Sequence, residues 1–143
     1  MNTIWGVIVA ALALLAWGGQ TLSLFAPEAA AKLGLFELEG EVEPAFWADG
    51  RGEALWDTCT LWTMVVAGVL LITDVGAWAY FGLIGGGMYL YFGGRVIFTR
   101  VVMEGRALRI GAPQNVRLGY IFGVVWAAVA VVTIVAAIVS IES

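Results

Sequence analysis

Histidine is absent from the 143 residues, and Cys59 is the only cysteine. The first absence excludes His-ligated haem, zinc or copper, and any acid–base or triad chemistry that runs through imidazole. The second excludes an intrachain disulfide and a two-thiol redox relay. Charge is scarce too: 13% of residues carry it, against about 25% in an ordinary soluble domain. Positive charge is missing from whole stretches. No Lys or Arg occurs in 1–31, 52–94 or 118–143.

What fills the chain is apolar. Hydrophobic residues make up 62%, with a mean hydropathy of +0.93. A soluble protein of this size could not bury that much apolar surface, whereas a run of about 20 apolar residues spans a bilayer core. Four such runs occur, at about 4–25, 54–73, 77–98 and 114–139. The first reads as a span and not a leader, because Met1-Asn2-Thr3 supplies no positive n-region. The fold class is therefore an all-α membrane protein: one domain of four transmembrane helices in an antiparallel bundle. A short interfacial helix follows the first span, with Pro27 at its start, Glu28 at its positive end and Gly34 at its stop. Residues 36–53 read as an acidic loop with a turn at Asp49-Gly50, and 99–113 as a basic loop. Only a few residues around Asp74 and Gly76 join spans two and three, which makes them a hairpin.

Both longer loops fall on one side. All seven basic residues lie there or at its margin: Lys32, Arg51, Arg95, Arg100, Arg106, Arg109 and Arg117. Positive charge stays cytoplasmic, so both termini are expected outside, in a bacterial inner membrane. Trp5 and Trp78 suit the aromatic belt of the outer leaflet, and Trp56 and Trp62 the inner half. Trp126 lies deep in the fourth span, as packing.

Small residues form helical stripes: Gly82, Gly86 and Gly93 in the third span, and Gly119, Gly123 and Ala127 in the fourth. Such stripes let backbones approach closely in lipid. They are expected to build the bundle, or else to provide a seam for a partner subunit or a second copy. Gln20, Asp57, Arg95 and Arg117 approach one level near the loop side. Ionisable groups at that depth face the interior, pair or mark a pathway; an Asp57–Arg117 or Asp57–Arg95 pair is expected. The alternative is snorkelling, which Tyr80 and Tyr91 favour for Arg95. Arg100, Arg106 and Arg109 are candidate contacts for anionic lipid headgroups. Docking of the acidic loop on the basic one would cap the inner mouth. The basic residues are too sparse for nucleic acid, and Gly85-Gly86-Gly87 lies within a span, where a phosphate loop has no context.

Leu24-Phe25-Ala26-Pro27-Glu28, running on to Lys32-Leu33-Gly34-Leu35, resembles the end of the first span in small DoxX-like bacterial membrane proteins. Arg117-Leu118-Gly119 is similar to the opening of their last span. The resemblance implies four spans and an association with quinone-linked redox or oxidative-stress systems, with no residue role carried over. From the residues, no catalytic set, metal site or cofactor is expected. The reading is a non-catalytic accessory or structural subunit that packs with a larger membrane complex or with itself. The alternatives are a small oligomeric transporter or channel, and a quinone- or lipid-linked redox protein.

Overall fold

Prolines open three of the helices, at the first position, where their missing N–H costs nothing. A computed structural model describes residues 2–143. Helix α1 covers Asn2–Phe25, α2 Pro27–Lys32, α3 Pro44–Thr60, α4 Trp62–Ile72, α5 Trp78–Gly105 and α6 Pro113–Glu142. Helices α3 and α4 form one rod, Pro44–Ile72. It, α1, α5 and α6 are the four helices long and apolar enough to cross a membrane. The protein is an all-α, four-span integral membrane bundle. The rod tightens at Leu61 (φ −69°, ψ −17°), where the Met64 N–H turns to the Leu61 carbonyl at 3.3 Å.

Two expected boundaries move. Half of the expected acidic loop is helix: Pro44 starts α3, and Asp49-Gly50 lies inside it as part of a helical turn. The true loop is 33–43, including a single 3-10 turn at Glu39–Glu41. Helix α5 also runs on through Gly105, so the basic loop shrinks to Arg106–Ala112. The short helix α2 stops as expected. Gly34 takes φ 70°, and the Leu35 N–H closes on the Ala30 carbonyl at 2.9 Å. The tight hairpin turn uses Asp74 at φ 55°, a conformation that aspartate tolerates better than most residues.

Small residues set the packing order. Helix α1 meets α4 where a Cβ on Gly68 would sit 2.6 Å from the Ala10 nitrogen. Helix α4 meets α5 where a Cβ on Gly85 would sit 2.7 Å from the Met64 backbone. Helix α5 meets α6 through Gly86 against Ile134 and Ala130, and Gly93 against Gly123 and Ala127. Sequence numbers run in opposite directions across each seam, so neighbouring spans are antiparallel. The stripes read from sequence thus build the bundle. Gly82 continues the α5 stripe against Thr133, and Gly119 receives Arg100.

The spans lie in the order α1, α4, α5, α6, and α1 and α6 make no extended contact with each other. Mid-depth stitches tie α1 to the far half of the row. The Trp126 indole donates to the Leu12 carbonyl at 3.2 Å, and the buried Tyr89 hydroxyl to the Ala13 carbonyl at 2.7 Å. Around them Val9, Ala13, Ala16, Leu61, Met64, Phe92 and Ala130 form the main core. Leu71, Trp78, Ala79 and Ala137 close the end that holds the termini. Trp78 is therefore a core residue and not a belt residue, and Trp5 packs beside it. Trp56 and Trp62 are exposed on the lipid-facing surface.

Candidate functional site

The loop end of the bundle is hollow. A cavity of about 370 Å³ lies between α1, α3, α5 and α6 under the 33–43 loop. Its lining is graded. Deepest are Ala16, Phe92 and Trp126, with Leu15 and Phe122 beside them. Nearer the mouth stand Gln20, Glu37, Asp49, Glu53, Arg95, Thr99, Arg100 and Asn115. Trp126 is fixed by rings at 5.2 Å on both sides, Phe92 and Phe122. The flank toward lipid is formed by Leu15 and Gly19 of α1 and by Leu118 and Phe122 of α6. These are the two helices that do not pack along their length, and Leu15 and Leu118 remain 46% and 43% exposed.

The roof is tied down by both loops. Val42 and Ile110, both buried, form an isolated antiparallel bridge. The Glu43 N–H donates to the Arg109 carbonyl at 2.8 Å, and Glu43 accepts from the Arg109 guanidinium at 3.5 Å. The expected docking of acidic loop on basic loop is therefore present, held by backbone pairing and one ion pair. Gly111, at φ 114°, leaves the space that the Glu37 carboxyl fills; a Cβ there would overlap it. Burial under the roof pushes the Glu37 carboxyl above its usual range. An Asn115 hydrogen bond opposes that shift, Glu41 adds to it and Arg100 opposes it.

Of the four polar residues expected at one level, Gln20 and Arg95 line the cavity, whereas Asp57 and Arg117 do not. Gln20 is half-buried and lines the cavity. Arg95 does not pair with Asp57. It binds Asp49 through Nη2 and Glu53 through Nε at 3.2 Å. Asp49, Glu53 and Asp57 are spaced four apart, so once 44–53 is helical they share one face. Arg95 engages the first two. Asp57 is only 3% exposed, and its Oδ2 has no hydrogen-bond partner. Arg117 is exposed and forms no ion pair among the described residues, so the expected Asp57–Arg117 pair is absent.

The expected headgroup trio also divides. Arg106 and Arg109 are exposed on the basic loop. Arg100 turns inward instead. Its guanidinium lies 5.7 Å over the Phe46 ring, Nη1 donates to the Val96 carbonyl at 3.0 Å, and Nε is buried without an acceptor. Gly119 admits it, because a Cβ there would stand 2.6 Å from Nε. Arg51, which the sequence left as one basic residue among seven, binds the Ser23 carbonyl at the end of α1 and covers Trp47 at 5.6 Å. The signal for Arg100 was its spacing: Arg100 lies a helical repeat from Gly93 and Val96, on the bundle-facing side of α5.

No set of three or more His, Cys, Asp or Glu that could hold a metal occurs among the described residues. What the site offers is an amphipathic hollow: aromatic at depth, polar at the mouth, and open toward lipid on one flank. Fold and site together define a class, a four-span membrane bundle with a roofed cavity at its arginine-bearing face. Against protein-family models, curated proteins and solved structures, the chain has no match.

Proposed function

We propose that this is a small, non-catalytic accessory protein of the bacterial inner membrane that works by binding an amphiphilic molecule at its cytoplasmic face. The observation that carries the reading is the graded cavity beside the open α1–α6 flank. Small-molecule sites are largely apolar hollows of about 300–1,000 Å³ with a few placed polar groups. At about 370 Å³ this one has room for a single chain or ring system. The floor-to-mouth gradient matches a molecule with an apolar body and a polar head at the membrane surface.

Two features bear on the alternatives. The named stripes are occupied within the bundle, Gly86 and Gly93 by α6 and Gly119 by Arg100, so a partner seam would have to use other residues. The end that holds the termini is closed by Leu71, Trp78 and Ala137, so a path across the membrane finds no support in one copy. The reading is tested by native mass spectrometry of the particle extracted in mild detergent. One co-purifying single-chain amphiphile per chain is expected. A second protein seated in the α1–α6 cleft with no amphiphile would favour a structural subunit instead, and a bare chain would overturn both.

A further inference from the structure

Two arginines reach the cavity, and only one forms an ion pair. Arg95 has Asp49 and Glu53. Arg100 has no carboxylate in salt-bridge range among the described residues. Of its donors, Nη1 alone finds an acceptor, a carbonyl one turn back on its own helix. Nε is buried and unpartnered. A guanidinium cannot discharge itself by losing a proton, and a charge drawn in from water without a partner is costly. The fold nevertheless makes room for it, with Gly119 on one side and the Phe46 ring on the other. The space beside it is the cavity mouth, where Thr99 and Asn115 add neutral polar groups. Glu37 is the remaining carboxyl at that mouth. Its carboxyl fills the space beside Gly111 and, like those of Glu53 and Glu104, acts on Arg100 only from outside salt-bridge range.

The geometry points to Arg100 as the receptor for an anionic oxygen headgroup, carboxylate or phosphate, on a single-chain amphiphile whose chain lies against Phe92, Phe122 and Trp126; this deepens the binding reading above and rests on it. Charge-assisted hydrogen bonds to carboxylate and phosphate are what a guanidinium fork makes best. The partner that Arg100 lacks is supplied by the ligand, and a hollow of about 370 Å³ has room for one chain.

The test uses the full chain in detergent micelles and three probes that share one chain: oleate, oleyl phosphate and oleyl alcohol. Binding is read by native mass spectrometry. At least one anion is expected to bind about tenfold or more tightly than the alcohol, the worth of a charge-assisted hydrogen bond. Whichever anion binds more tightly identifies the headgroup. Arg100→Gln should bring the anions down to the alcohol's level, while Arg106→Gln, on the exposed loop, should keep the preference. Equal binding of all three probes by the wild-type chain would overturn the role of Arg100 and leave the amphiphile site standing, and this arm needs no variant to fold. An anion preference that survives Arg100→Gln would also overturn it. Failure of all three probes to bind would remove the cavity reading itself.

Discussion

Arg95 and Arg100 lie five residues apart on α5, yet one is satisfied by protein and the other is not. The difference was hidden in the sequence by a neighbour. Glu53 and Asp49 become partners for Arg95 only once 44–53 is helical, and the glycines at 50 and 52 with Asp49 read as turn chemistry. Pro44 at the first helical position and the packing of α3 on α1 override that local preference. Asp57 was legible as an acid at depth, but the absence of an arginine partner was not, because pairing depends on which helix faces it. Glu37 offers a test at this scale. Burial raises its carboxyl above the ordinary 4.5, with Asn115 and Arg100 pulling the other way and Glu41 adding to the rise. The folded chain therefore holds the proton more tightly than the unfolded one. That contribution to stability is complete below about 4.5 and is lost as pH rises through the higher folded value. Thermal unfolding in detergent should show the wild type losing ground to Glu37→Gln between pH 4.5 and 7. A gap between the two proteins that stays constant over that window would refute the assignment.

Among the elements, the spans themselves were the most legible feature, because an apolar run long enough to cross a bilayer leaves few other solutions. The ends were less so: α3 begins ten residues before the expected start of span two, at Pro44 and not at 54. Amphipathic turns at the membrane surface carry charges that a hydropathy reading assigns to loop. The glycine stripes were visible, but not which glycine touches what. Gly93 lies where α5 and α6 come closest, and a Cβ there would stand 2.6 Å from the Gly123 carbonyl oxygen. Gly87, on the same helix, has nothing within 4 Å of that position. Gly93→Ala should force the helices apart and cost about 1–3 kcal/mol, the usual penalty for overpacking. Gly87→Ala should be neutral or stabilise by up to about 1 kcal/mol, through helix propensity alone. Denaturant titration in mixed micelles compares the two. Equal losses would mean that contact distance does not set the packing of this seam.

For the whole molecule, the distribution of positive charge and the position of the cavity reinforce each other. Every basic residue lies at the end that holds the cavity, and the end with the termini has none. Lysine and arginine near span ends set orientation, while acidic residues contribute little, so the acidic balance of the chain does not reverse the expectation. In that orientation the polar mouth would lie at the headgroup level of the cytoplasmic leaflet, with the aromatic floor among acyl chains. Orientation and binding thus make one joint prediction, because a chain inserted the other way would present its arginines outside. Single cysteines at Ser143, Val75 and Arg106, each in a Cys59→Ser background, report it directly. A membrane-impermeant maleimide applied to intact cells should label positions 143 and 75 and reach 106 only after lysis. Labelling of 106 before lysis, with 143 and 75 protected, would invert the topology and move the proposed site to the outer leaflet.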